Sequence, residues 1–169
     1  SNICYVSSST DPTNLVPTSP AVQGSPNIIV FDSTLKGITV RSGNPCMGVG
    51  TSRWGVVNYT YANSGVGSTT YRTTNIDYSP TGSLVAPMAH EFIDVSGDNI
   101  IYLAQDQQVR SFGNFNNSFT SNNYPALSQE IYTELQQVDF DGGGLKVIGD
   151  YIYLSAPVEG TVFIREDRQ

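Results

Sequence analysis

The chain has 169 residues, 38% of them hydrophobic and only 14% charged, with a net charge of −7, 16 Gly, 9 Pro, ten Tyr and seven Phe. A chain of this length supports a core without metals or a disulfide framework, and eight basic against fifteen acidic residues exclude gripping nucleic acid by phosphate neutralisation. No stretch approaches the ~20 apolar residues of a membrane helix, and the shortage of charge in favour of Ser, Thr, Asn, Gly and Tyr points to an all-β domain.

Ser1-Asn2-Ile3-Cys4-Tyr5-Val6 reads directly as a strand rather than as a basic-then-apolar leader, which is the expectation for a processed product or a segment of a longer polypeptide. Residues 7 to 26 hold Pro12, Pro17, Pro20 and Pro26 among Ser and Thr, so 1–26 is expected to be an extended arm or loop. Ile28-Ile29-Val30-Phe31 and Leu35-Lys36-Gly37-Ile38-Thr39-Val40 read as two short strands joined by a polar turn, and Trp54 to Tyr61 as another. The Gly-, Ser- and Thr-rich stretch from Asn63 to Ser83 is either a long hairpin or a functional loop.

The second half contains a repeat. Val95-Ser96-Gly97-Asp98-Asn99-Ile100-Ile101-Tyr102-Leu103-Ala104 returns, with a one-residue gap, as Val147-Ile148-Gly149-Asp150-Tyr151-Ile152-Tyr153-Leu154-Ser155. Each copy has an apolar strand before it and another after it, Val109-Arg110-Ser111-Phe112 and Thr161-Val162-Phe163-Ile164. Gly tolerates positive φ and Asp accepts a local backbone hydrogen bond, so each Gly-Asp pair is a hairpin turn. An antiparallel unit returning after 52 residues has the spacing of a β-propeller blade, and residues 92–165 are expected to hold two of them. The positions expected to carry the fold are Ile101, Tyr102, Leu103, Val109, Phe112, Leu145, Val147, Ile152, Tyr153, Leu154, Val162 and Ile164. Between the copies, Leu127, Ile131 and Leu135 fall on one helical face, which predicts a short helix over 128–136 with Ser128 as N-cap, capping or bridging blades.

No motif demands catalysis. Asp139-Phe140-Asp141-Gly142-Gly143-Gly144 has alternating carboxylates but lacks the fifth-position acceptor and closing Glu of a calcium loop, so it reads as a polar turn. His90 is the single histidine, and without a Gly-x-Ser-x-Gly elbow it reads as an ordinary residue at a strand entrance. Gly48-Val49-Gly50-Thr51-Ser52-Arg53-Trp54-Gly55 lacks the Lys-Ser/Thr ending of a phosphate loop. Glu91 with Asp94 and Glu166 with Asp167 are the acid pairs a glycosidase would need, but charges near strand ends are usually solvated. Cys4 and Cys46 are read as apolar fillers ahead of a disulfide, and Asn58-Tyr59-Thr60 and Asn116-Asn117-Ser118 match the glycosylation pattern only at chance level. Trp54 and the tyrosines, with the 63–83 stretch, are the residues a carbohydrate- or receptor-binding module would use.

Gln108-Val109-Arg110-Ser111-Phe112-Gly113, directly after Ile101-Tyr102-Leu103-Ala104, resembles the tail nozzle or muzzle (packaged-DNA stabilisation) proteins of short-tailed bacteriophages. The resemblance continues through Pro125-Ala126-Leu127-Ser128-Gln129-Glu130-Ile131 and Asp139 to Lys146, and covers about residues 92 to 165. It implies a β-propeller-like wall element of the phage virion, in a homo-oligomeric ring that closes the portal end beside other tail proteins. It also implies a chain made in the bacterial cytoplasm, with no enzymatic activity, cofactor, metal or membrane. The genome would slide past an acidic wall without specific binding, in keeping with the charge of −7. Family propellers are much longer, so the resemblance implies a partial propeller, either a fragment or a chain that completes a sheet supplied from elsewhere.

Overall fold

The computed structural model describes residues 1–5, 28–41, 44–63, 70–79, 85–97, 99–112, 126–157 and 160–165, with the backbone alone for 28, 41, 59–63, 70–74 and 160–165. Of the expected arm over 1–26, residues 6–26 lie outside the described residues while Ile3–Tyr5 form a paired strand; the acids Glu166 and Asp167 also lie outside, and Val162 and Ile164 lie where only backbone is described. The fold is all-β and antiparallel. Sheet I pairs β1 (Ile3–Tyr5) with β2 (Ile28–Val30). Sheet II is β3 (Leu35–Arg41), β4 (Asn44–Val49), β5 (Arg53–Asn63) and β6 (Thr70–Tyr78). Sheet III is β7 (Ile93–Ser96), β8 (Asn99–Leu103) and β9 (Val109–Phe112), and sheet IV is β10 (Gly144–Ile148), β11 (Tyr151–Ala156) and β12 (Gly160–Arg165). Within each sheet the strands neighbour one another in chain order, and among the described residues no sheet closes on itself.

The strands expected at 28–31 and 35–40 both form, but in different sheets, because β2 pairs with β1 and β3 with β4. Of the stretch from Asn63 to Ser83, Thr70–Tyr78 pair with β5 from Gly55↔Tyr78 to Asn63↔Thr70, and residues 64–69 and 80–83 lie outside the described residues.

The repeat is present, and it has three copies in place of two. Ile38 pairs with Met47, Ile93 with Tyr102 and Leu145 with Leu154, the three starting points lying 55 and 52 residues apart. The next turn repeats as well: Val49 pairs with Arg53, the Ala104 N–H donates to the Gln108 carbonyl, and Ala156 pairs with Gly160. Gly97 and Gly149 adopt φ of 58° and 61°, which is why glycine opens the two-residue turns.

This register removes the one-residue gap read from the sequence. Tyr102 corresponds to Leu154 and not to Tyr153, and a slip of one residue would turn every side chain to the opposite face. The misreading has a physical source. β8 is buried on both faces, with Ile100, Ile101, Tyr102 and Leu103 each 0% exposed, so its apolar run carries no alternation. β11 buries only Ile152, Leu154 and Ala156, and alternates.

Three cores alternate with the sheets. Ile29 and Phe31, the latter just beyond β2, pack on Met47, Val49 and Val57 of sheet II. From the opposite face of sheet II, Cys46, Trp54 and Val56 meet Ile100, Tyr102, Ala104 and Phe112, where Trp54 sits 5.0 Å from the Tyr102 ring and 4.7 Å from that of Phe112. From the opposite face of sheet III, Ile101, Leu103 and Val109 meet Leu145, Ile152, Leu154 and Ala156. Equivalent positions therefore face the same way in each layer: Met47, Tyr102 and Leu154 look back toward the preceding sheet, while Cys46 and Ile101 look forward.

The helix is shorter than expected. A 3-10 turn over Gln129–Ile131 leads into α1 (Tyr132–Leu135), and Leu127, Ile131 and Leu135 pack into the core shared by sheets III and IV. Ser128 stands at the N-cap position of the 3-10 turn, but its side chain makes no capping hydrogen bond. It is buried, and its Oγ accepts the Val109 N–H at 2.9 Å. Among the described residues that edge of β9 is met by one bridge, Arg110 to Ala126, and by the Leu127 N–H donating to the Val109 carbonyl, so the Val109 N–H takes a side-chain partner. Ser128→Ala is expected to cost about 1–3 kcal/mol by leaving that N–H unpaired in the core, measured by urea unfolding.

Candidate functional site

Three of the titratable side chains singled out in the sequence, His90, Glu91 and Asp94, lie on one seam. The first strands of the three large sheets, β3, β7 and β10, lie side by side, and residues 90–94 run between them. A 3-10 turn over His90–Phe92 feeds directly into β7, placing His90 and Glu91 in water and Phe92 in the core.

Two open strand edges meet this segment. The Ile38 N–H of β3 points at His90 Nδ1 at 3.5 Å, and the Val147 N–H of β10 donates to Asp94 Oδ2 at 2.8 Å. Asp94 also accepts the Val95 N–H at 2.9 Å and pairs with Lys146 Nζ at 3.1 Å. Close backbone approach keeps the seam tight. A Cβ on Gly37 would overlap Ile93 Cδ1, and one on Gly144 would come within 3.3 Å of the Glu91 carbonyl oxygen. These contacts give unpaired edge groups partners within the molecule, which blunts the edges against foreign strands.

Burial works to raise the Asp94 pKa, but the hydrogen bonds from Val147 and Val95 and the Lys146 ammonium outweigh it and hold the carboxyl below its ordinary value of 3.8. A depressed folded pKa gives stability that is complete above the unfolded value and lost as pH falls through the folded one. Asp94→Asn is therefore expected to cost about 1 kcal/mol or more at neutral pH. The gap to wild type should close only below pH 3.8, as read by urea midpoints across an acid series.

Asp94 spends its oxygens on backbone and Lys146, so it is not a free carboxylate facing Glu91 across a cleft. Glu91, Asp139 and Asp141 rim a cleft of about 560 Å³ floored by Phe92 and Phe140. Asp139 Oδ1 there accepts the Asp141 N–H at 3.0 Å, the local bond of a polar turn. No group of three or more metal-ligating side chains gathers among the described residues. The Gly48–Gly55 stretch is the β4–β5 hairpin, with Gly48 pressed against the Pro87 ring.

Cys4 packs on the sheet I side of sheet II, and burial pushes its thiol pKa up, whereas Cys46 faces sheet III. Neither forms a disulfide. Asn58 donates to Asp77 Oδ2 at 2.6 Å, and Asn116 lies outside the described residues. Trp54 is 0% exposed, so the aromatic expected to anchor a sugar lies in the core between sheets II and III.

Compared with protein families, characterised proteins and solved structures, the chain matches none. Its function has to be argued from this geometry and from the sequence.

Sequence reasoning singled out His90 and Asp94 as chemistry-bearing types, but not their task of closing neighbouring edges. The signal was Ile38-x-Val40, Ile93-x-Val95 and Leu145-x-Val147, an aliphatic pair that opens each layer.

Proposed function

We propose that the chain is a non-enzymatic wall element of a phage tail nozzle, a propeller-like stack that helps close the portal end and line the path by which DNA leaves. The observation that carries this reading is the threefold layer, with one register, one pair of turn lengths and first strands side by side. Successive propeller blades have that relation around a channel. The sequence resemblance over 92–165 adds the tail context.

Electrostatics support the same reading. The net charge is −7, and of the few cations Arg53 pairs with Asp32, Arg110 with Asp106 at 2.5 Å and Lys146 with Asp94. Cations held by carboxylates do not grip phosphates, so duplex DNA would slide past. A glycan-binding module loses its anchor with Trp54 in the core.

Mass spectrometry of purified virions and of their separated tails tests the proposal. The expected result is this sequence within tail-sized assemblies. Its recovery only as a free 18.3 kDa species would overturn the reading.

A further inference from the structure

Residues 90–94 hold two strand edges by two different chemistries. On the β10 side the Val147 N–H donates to a carboxylate, Asp94, at 2.8 Å. On the β3 side the Ile38 N–H meets an imidazole nitrogen, His90 Nδ1, at 3.5 Å. Acid acts on the two acceptors in different ranges. Histidine is the side chain whose charge changes between about pH 5 and 8. Asp94 stays ionised throughout that range, because its backbone hydrogen bonds and Lys146 keep its pKa below 3.8.

Nδ1 accepts a hydrogen bond only while the ring is neutral and carries its proton on Nε2, and an imidazolium is a donor at both nitrogens. Protonation therefore sets N–H against N–H. The main chain offers little room for adjustment. A Cβ on Gly37 would come within 3.2 Å of His90 Cα and overlap Ile93 Cδ1, so the 90–92 turn already lies against the backbone of β3. Either the ring turns away or the strand edge moves. Nearby charge adds to the push. His90 lines the groove between β1 and β3 together with Lys36, whose ammonium repels an imidazolium, and with the Cys4 thiol and the Tyr5 phenol. Among the described residues, no carboxylate lines that groove. Of the acids on its own segment, Glu91 lies in water beside it, and Asp94 is committed to Val95, Val147 and Lys146.

We propose that His90 is an acid-released latch, whose protonation frees the edge of β3 at Ile38 from the 90–92 turn while Asp94 continues to hold the edge of β10. The opening is local, since the core around Trp54 keeps sheets II and III packed. It leaves a strand-edge N–H open to water or to a foreign strand. The proposal goes beyond the tail reading and does not rest on it.

Nuclear magnetic resonance of the isotope-labelled chain, titrated from about pH 8 to 5, tests it. The chain has a single histidine, so its imidazole signals report this one titration. The expected result is that the Ile38 amide shift follows the imidazole with the same midpoint. Ile38 hydrogen exchange, corrected for its intrinsic pH dependence, should be several-fold faster on the acid side, and that of Val147 unchanged. His90→Asn offers an Oδ1 acceptor at the place of Nδ1 and does not titrate, so it should keep Ile38 protected at both ends of the range. An Ile38 amide in the wild type that ignores the imidazole titration would overturn the proposal without any variant. So would a Val147 amide that opens together with Ile38, or an acid response of Ile38 that survives in His90→Asn.

Discussion

Trp54→Ala is expected to destabilise the protein by about 3–5 kcal/mol, the usual range for truncating a fully buried large aromatic. The indole fills the space between sheets II and III, edge-on to Tyr102 and tilted on Phe112, so its loss leaves a cavity bounded by two backbones that are hydrogen-bonded to their own neighbours. Urea unfolding measures the effect as a lower midpoint with little change in slope. Trp54→Phe is expected to cost less. It keeps a ring in the site and removes an indole N–H that has no acceptor among the described residues. A cost below about 1 kcal/mol for the alanine variant would mean that the two sheets do not share this core.

Gly143→Ala is expected to be the other severe change, about 1–3 kcal/mol or more, as overpacking against rigid backbone is. A Cβ at this position would overlap the carbonyl oxygen of Ser155 in β11 and sit 3.0 Å from that of Phe140, and no rotamer change relieves a clash with main chain. Gly97→Ala is the control. It meets nothing within 4 Å and is strained only by its positive φ of 58°, a penalty of about 1–2 kcal/mol. If Gly97→Ala proves the more damaging of the two, the packing of 139–143 on β11 is wrong. The comparison also separates two readings of Asp139 and Asp141, since a calcium loop would make the effect of Gly143→Ala depend on added calcium and a polar turn would not.

What was legible in the sequence follows from what each segment buries. β11 alternates because one of its faces is covered, and the Gly-Asp turns announce themselves through the φ that glycine permits. β8 is covered on both faces and loses alternation, so its copy was matched one residue out of register. The first copy was missed altogether. At the position of the Gly-Asp pair its sequence has Ser42-Gly43, which lie outside the described residues, Pro45 is the second residue of its second strand, and only Ile38-x-Val40 survives to mark it. Ser128 has the residue type and position of a helix cap, but the larger demand at that point is the unpaired Val109 N–H, and tertiary context overrode the local preference. The site was half legible. His90 and Asp94 stand out by type, yet their partners Ile38 and Val147 lie 52 and 53 residues away, a relation visible only once the layers are stacked.

The account rests on sheets II, III and IV lying face to face in a common direction. Nuclear Overhauser contacts in the isotope-labelled chain test this most directly. The expected result is contact from the Trp54 ring to Phe112 and Tyr102 on one side of sheet III, and from Ile101 and Leu103 to Leu154 and Ile152 on the other. Contacts from Trp54 to the Leu154 side, or none from either core across to sheet III, would contradict the layered arrangement.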